Sequence, residues 1–123
     1  MIVEYVKERG FKGEGKDPHL TLGSKYLVLS WNFDNIKRRS YLGVRSDDDG
    51  YPAIWDVSFF KIVDTRVPLN WQLKQLESEA YRLEPQAFSA DFWEKFHDGN
   101  EEAEQLFQQE YEKIAAFHNF SIT

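Results

Sequence analysis

Three segments rich in β-branched and aromatic residues, separated by two turn sequences, constrain the fold of this chain more than any other feature. The segments are residues 25–33 (KYLVLSWNF), 39–46 (RSYLGVRS) and 51–63 (YPAIWDVSFFKIV). Asp34 and Asn35 mark the first turn and the run DDDG at 47–50 marks the second, since Asp and Asn side chains accept backbone hydrogen bonds and Gly supplies a positive φ. The pattern predicts a three-stranded antiparallel meander.

The residues before the meander are less regular. Residues 2–7 fit either a short strand or one turn of helix, and we favour a strand that adds to the sheet. Residues 10–18 (GFKGEGKDP) combine three Gly with one Pro, which predicts a loop. In the segment 25–33, alternation predicts one face formed by Leu27, Leu29, Trp31 and Phe33.

Residues 70–80 predict a short helix. Asn70 is a candidate N-cap. The apolar side chains at helical spacing behind it are Leu73, Leu76 and Ala80. Residues 81–85 are expected to be an irregular connection, because Pro85 disfavours helical backbone at the residue before it.

Two further helices are predicted in the last third of the chain. Ser89 is the expected N-cap of the first, which Gly99 ends after about two turns. Asn100 is the expected N-cap of the second, where acidic residues in the first turn suit the positive end of the helix dipole. Its apolar residues at i, i+3 and i+4 spacing include Ala103, Leu106, Phe107, Tyr111, Ile114 and Phe117.

Strands followed by helices predict an α+β fold. We expect an antiparallel sheet, formed by the meander and a possible N-terminal strand, that the C-terminal helices cover on one face. The other face is expected to be open, with Tyr26, Tyr41 and Trp55 on it.

Composition limits the class of protein. The 123 residues fit a single domain with one aromatic core, since 16% of them are Phe, Trp or Tyr. The chain has no Cys and no apolar stretch long enough to span a membrane, so we expect a soluble, cytoplasmic protein. Residues 1–45 hold nine Lys or Arg against five Asp or Glu, a net charge of +4, whereas the remainder holds six against sixteen, a net charge of −10.

The sequence contains no recognisable catalytic or metal-binding motif. His19, His97 and His118 form no ligand pair at metal-binding spacing, and His97 in the last turn of a helix is explained by the helix dipole. The DDDG run lacks the later ligands of a calcium-binding loop, and no phosphate-binding glycine motif is present. We therefore predict no catalytic residues, no metal and no cofactor, and a binding protein rather than an enzyme.

Two charged surfaces are candidates for binding. Residues 37–39 (KRR) are flanked by aromatic residues and could contact nucleic acid, but the acidic balance of the chain disfavours that interpretation. The predicted last helix has a polar face opposite its apolar stripe, which would attract a basic partner. A simply solvated helix face explains the same residues.

The segments VPLNW (67–71), 81–85 and FWEKFHDGNEEAEQLFQQEYEKI (92–114) resemble the small bacterial immunity proteins encoded beside polymorphic or contact-dependent toxins. This resemblance covers about the second half of the chain. It implies a cytosolic inhibitor that binds a toxin domain, often a basic nuclease, and occludes its active site. Such families share no catalytic residues, so the resemblance transfers no residue roles.

The leading hypothesis is therefore an inhibitor that binds a basic protein partner through the last helix. We expect Glu101, Glu104 and Glu112 to supply charge, and Trp93 and Tyr111 to act as exposed aromatic anchors. The alternative is a small enzyme or ligand-binding domain whose site lies on the open face of the sheet. Its candidate residues are Tyr26, Tyr41, Arg39 and Trp55. A concave pocket with convergent polar groups would favour this alternative.

Overall fold

The described residues, 1–7 and 19–121 of a computed structural model, form eight strands and two α-helices. The strands are β1 (Ile2–Tyr5), β2 (Lys25–Leu27), β3 (Ser30–Asp34), β4 (Arg39–Arg45), β5 (Pro52–Asp56), β6 (Phe60–Asp64), β7 (Trp71–Glu77) and β8 (Ala80–Pro85). The helices are α1 (Phe92–His97) and α2 (Glu101–Phe117). The loop predicted at residues 10–18 lies outside the described residues.

The strands form two antiparallel sheets, which confirms the α+β class but not the single meander. The larger sheet has the order β5-β4-β3-β8-β7, and the smaller has the order β2-β1-β6. The N-terminal strand was predicted correctly, and β1 is the central strand of the smaller sheet, where Val3 pairs with Tyr26 on one side and with Ile62 on the other.

The predicted strand 25–33 is divided between the two sheets. Val28 N–H donates to the Met1 carbonyl at 3.0 Å, whereas Leu29 N–H donates to the Gly43 carbonyl at 2.7 Å. Consecutive backbone groups therefore bond to different sheets, and the chain passes from β2 to β3 at this point. Both residues are buried, as are Tyr26 and Leu27, so the predicted division of this segment into one core face and one open face is wrong.

The predicted strand 51–63 is divided in the same way. A short 3₁₀ turn at Val57–Phe59 interrupts it, and the Asp56 carboxylate accepts a hydrogen bond from Ser58 N–H at 2.9 Å at the start of that turn. Before the turn, β5 pairs with β4, and after the turn β6 pairs with β1.

The helix predicted at residues 70–80 is wrong, and so is the irregular connection at 81–85. The two segments form the hairpin β7–β8, in which Leu73 pairs with Leu83 and Lys74 pairs with Arg82. Strand pairing satisfies the backbone groups that the helix would have satisfied internally. Asn70 does not cap a helix, since its side-chain amide donates to Glu110 Oε1 at 2.6 Å.

The local turn and cap predictions mostly agree with the structure. Asp34 Oδ1 accepts from Ile36 N–H and Lys37 N–H in the β3–β4 turn, and Gly50 has a φ of 69° in the next turn. Asn100 caps α2, since its Oδ1 accepts from Ala103 N–H at 2.9 Å. Ser89 does not cap α1, because the helix begins only at Phe92, and Ser89 instead ends the 3₁₀ turn Gln86–Phe88.

The two faces of the larger sheet differ in chemistry. One row of cross-strand neighbours runs over all five strands on the apolar face: Trp55, Leu42, Trp31, Leu83 and Leu73. Burial decreases along this row, from fully buried Leu42 to Leu73, which is 64% exposed. We call the opposite side the polar face; the strands direct to it Ser30, Asn32, Gly43, Ile54, Lys74, Arg82 and Glu84.

Both helices contact the polar face. The Trp93 indole of α1 donates to Glu84, and the Arg45 guanidinium of β4 lies 4.6 Å from the centre of the Tyr111 ring of α2. Between them is an aromatic cluster of Phe88, Phe92, Phe96 and Phe107. No helix in the described part of the chain is long and apolar enough to cross a membrane.

Candidate functional site

The outer face of α2 is acidic. Glu101, Glu104 and Glu112 are all exposed. Their spacing along the chain places them on the same side of the helix, because residues three or four apart are neighbours on a helix surface. Among residues 1–7 and 19–121, no Lys, Arg or His forms an ion pair with any of the three. Within the described part of the chain, their only side-chain hydrogen bond comes from Gln108, which donates to Glu112 at 3.3 Å.

Glu110 shows what an inward-facing acid on the same helix requires. Its side chain is 2% exposed, and it accepts from the Asn70 amide at 2.6 Å and pairs with Lys113 at 3.3 Å. A buried carboxylate needs such partners because the loss of water is costly. The outer glutamates remain hydrated and need none.

The two aromatic residues expected as exposed anchors are not on this acidic face. Tyr111 is 9% exposed and packs against Arg45, so the prediction that it is an exposed anchor is wrong. Burial raises the pKa of its hydroxyl, although the nearby Arg45 charge partly opposes the change. Trp93 is half-buried, and its ring nitrogen donates to Glu84 Oε1 at 3.1 Å.

A pocket of about 460 Å³ lies on the polar face of the larger sheet, next to α1. This volume is within the range of roughly 300 to 1,000 Å³ that is usual for small-molecule sites. The pocket is lined by Leu29, Ser30, Asn32, Gly43, Pro52, Ala53, Ile54, Arg82, Trp93 and His97. Strands β3, β4, β5 and β8 therefore supply its floor, and α1 supplies one wall.

Gly43 in the floor of the pocket makes a close approach to Ser30. A Cβ atom at this position would lie 2.4 Å from the hydroxyl oxygen of Ser30, its cross-strand partner. Glycine within a strand often marks such a close approach. The absence of a side chain leaves room for the Ser30 hydroxyl.

A chain of hydrogen bonds fixes the polar side chains of the pocket. Arg82 Nε donates to Asn32 Oδ1 at 2.6 Å, and Asn32 Nδ2 donates to Ser30 Oγ at 3.1 Å. Ser30 is 6% exposed, so the innermost member of this chain is buried. The three side chains come from adjacent strands, since Asn32 on β3 pairs with Arg82 on β8.

Glu84 lies beside this chain and is buried. Its Oε2 accepts from Lys74 Nζ at 2.9 Å, and its Oε1 accepts from the Trp93 indole. Arg82 Nη1 is 4.0 Å from Glu84 Oε2, which is too long for a hydrogen bond. The Glu84 carboxylate is therefore neutralised mainly by Lys74.

Aromatic rings form the rim of the pocket on the α1 side. The Trp93 and His97 rings are stacked with centres 5.9 Å apart, and the Tyr51 ring lies 6.1 Å from that of His97. His97 lies in the last turn of α1, as predicted, and is its final residue; its side chain is exposed.

The residues proposed for the open face of the sheet do not converge. Tyr26 and Trp55 are buried, Tyr41 is half-buried and Arg39 is exposed. The Tyr26 hydroxyl donates to Asp47 at 2.7 Å, and burial is the main cause that raises its pKa to about 12. None of the four lines the pocket at α1.

Sequence reasoning missed Arg82, Asn32 and Glu84 as site residues. The alternation of Tyr81 and Leu83 with Arg82 and Glu84 was the available signal, because it is typical of a strand with one polar face. Reading that segment as a connection left its charged residues without a predicted location.

No group of three or more His, Cys, Asp or Glu side chains within the described ranges is placed to hold a metal ion. Comparisons with protein-family models, with curated proteins and with solved structures found no match for this chain.

Proposed function

We propose that this protein is a cytosolic inhibitor of the immunity type, which binds a basic toxin domain and occludes it. The observation that carries the proposal is the contrast among the glutamates of α2. Glu110 faces inward and has two partners, whereas Glu101, Glu104 and Glu112 face solvent with no cationic partner among the described residues.

Unpaired surface carboxylates suit the recognition of a basic partner. No internal ion pair has to be broken before they bind, and their field accelerates encounter with a positively charged surface. A nuclease is a suitable class of target, because a domain that binds a phosphate backbone must itself carry Lys and Arg. The resemblance of residues 67–71, 81–85 and 92–114 to immunity proteins implies the same partner class.

The proposal predicts that a basic toxin domain is encoded beside the gene of this protein, and a neighbouring gene without one would count against it; the binding test uses that domain. We expect Glu101→Lys combined with Glu112→Lys to slow association by about tenfold or more at low salt, because charge at an interface acts mainly on the association rate. The matched control is Glu77→Lys with Glu79→Lys, which makes the same change in net charge at exposed positions around the β7–β8 turn.

Surface plasmon resonance at two salt concentrations would measure the rates. Slower, less salt-sensitive association of the α2 variant, with a smaller effect of the control variant, supports the proposal. An association rate and affinity unchanged by the α2 substitutions would exclude this face as the interface.

A specific observation favours a second candidate function, the binding of a small molecule. The pocket beside α1 combines a volume of about 460 Å³ with a fixed chain of polar side chains. Functional pockets typically combine apolar walls with a few placed polar groups.

A further inference from the structure

We infer that the pocket beside α1 binds a small molecule that carries a carboxylate on an apolar body. This inference rests on the second candidate function, ligand binding at the pocket, and is independent of the acidic face of α2. Three properties of the pocket carry it: the sign of its charge, the fixed orientation of its cation, and the chemistry of its walls.

The charge of the pocket is positive. Among the described residues that line it, Arg82 is the only Lys, Arg, Asp or Glu side chain. Glu84, whose Oε2 lies 4.0 Å from Arg82 Nη1, already accepts hydrogen bonds from Lys74 and Trp93. Lys74, Arg82 and Glu84 together carry one net positive charge, which favours an anionic ligand.

The guanidinium of Arg82 is fixed before any ligand arrives. Its Nε donates a hydrogen bond to Asn32, and the Asn32 amide donates a hydrogen bond to the Ser30 hydroxyl. Its Nη1 forms an ion pair with Glu84 at 4.0 Å, but this distance is too long for a hydrogen bond, so the Nη1 donors stay available. A guanidinium has a fixed fork of donors that matches the two oxygens of a carboxylate, and a cation that is already oriented loses little entropy on binding.

The walls around this cation are mostly apolar. Leu29, Pro52, Ala53 and Ile54 line the β3 and β5 sides, and the Trp93 ring lines the helix side. Burying an apolar ligand body against them is favourable. A phosphate group would leave these walls unused, and among the described lining residues it would find Arg82 as its only permanently charged donor, so we favour a carboxylate.

Binding can be tested with the full chain and four probes: 3-phenylpropionate, its neutral amide 3-phenylpropanamide, the cation 2-phenylethylamine and inorganic phosphate. Chemical shifts of backbone amides and the Trp93 indole report the site. We expect 3-phenylpropionate to bind with a dissociation constant of about 1 mM, which is ordinary for so small a probe, and the amide and amine to bind at least tenfold more weakly.

Variants at Ile54 test the pocket without touching Arg82. Ile54 is 59% exposed on the edge strand β5, so the fold should tolerate polar substitutions there. Ile54→Glu should weaken 3-phenylpropionate about tenfold more than the matched Ile54→Gln, because both variants lose the same apolar contact and only Ile54→Glu places a like charge at the pocket. Arg82→Gln should weaken the binding of 3-phenylpropionate by a similar factor. Arg82→Lys should weaken it less, because the positive charge is kept.

The outcomes separate the ligand class from the ligand-binding function. Equal binding of the amide or the amine, or tighter binding of phosphate, overturns the carboxylate while leaving the pocket as a binding site. Absence of binding by every probe, or shifts confined to residues away from the pocket, overturns both. Charge reversal at Glu101 and Glu112 should leave probe affinity unchanged.

Discussion

At the scale of single residues, two buried glutamates show how the fold accommodates charge. The side chains of Glu84 and Glu110 are each 2% exposed, and each has one neutral donor and one lysine, with Arg82 at 4.0 Å as a further cation near Glu84. The lysines differ, since Lys74 is 21% exposed and Lys113 is 70% exposed. An ion pair screened by little water is worth more than one at the surface.

This difference predicts unequal effects of the same substitution. Lys74→Met should lower the free energy of unfolding by about 2 to 3 kcal/mol, because it leaves a buried carboxylate without its main cation. Lys113→Met should lower the free energy of unfolding by about 1 kcal/mol or less, because that lysine is mostly solvated and water can take its place beside Glu110. Urea unfolding monitored by tryptophan fluorescence measures both.

The exposed Lys25→Met variant, in a strand of the smaller sheet, controls for the loss of a surface charge and should change stability least. Equal losses for Lys74→Met and Lys113→Met would contradict the assigned importance of burial.

At the scale of elements, the β3–β4 pair combines a regular register with one close contact. Ser30 and Gly43 are partners, and the Ser30 hydroxyl occupies the space that a side chain at position 43 would need. The same hydroxyl accepts the Asn32 amide, so the contact also positions the pocket.

Gly43→Ala should therefore destabilise the protein by about 1 to 3 kcal/mol, although alanine usually suits a strand better than glycine. In a Ser30→Ala background the hydroxyl is absent, and Gly43→Ala should cost less than half as much. Chemical unfolding of the two single variants and the double variant completes the cycle. Additive losses would show that the close contact with Ser30 is not the cause.

Some elements could be predicted from the sequence and others could not. The alternation in residues 39–46 predicted β4 and the cap at Asn100 predicted the start of α2, because alternation and capping depend on neighbours within a few residues. Leu73 and Leu76 suggested a helix, but β7 is stabilised by pairing with β8 and by the bond from Asn70 to Glu110. Tertiary pairing overrode the weak local preference.

At the scale of the whole molecule, a hydrogen-bonded network joins the two ends of the described chain. The Met1 amino group lies 2.6 Å from His118 Nε2, and His118 Nδ1 lies 3.1 Å from Asp64 Oδ2. Burial lowers the pKa of the amine to about 6, and burial followed by the amine charge lowers the pKa of His118. Hydrogen bonds from Arg66 hold the pKa of Asp64 well below its usual range.

These shifts predict a dependence of stability on pH. The pKa values of the amine and the imidazole are lowered on folding, so the unfolded chain binds more protons between pH 6 and pH 8, and stability should rise with pH across that range. The pKa of Asp64 is also lowered, so its contribution is present above the ordinary value of 3.8 and is lost as pH falls below it.

The midpoint of urea unfolding at several pH values measures this effect in the chain with a free amino group at Met1. His118→Gln retains hydrogen bonding but removes one titrating group, and it should reduce the slope between pH 6 and pH 8. The neighbouring Phe117→Leu is the control and should keep the slope. A midpoint that is flat or falls as the pH rises from 6 to 8 would contradict the assignment.

The sequence by itself determined the α+β class, the β3–β4 turn, the start of α2 and its exposed acidic face. These follow from side-chain periodicity and from hydrogen bonds between near neighbours. Only the tertiary structure decided where the strand segments change sheets, that Tyr111 faces inward, and that Arg82 meets Asn32 across 50 residues of sequence. Such contacts depend on which distant backbone groups pair, and no local pattern specifies the partner.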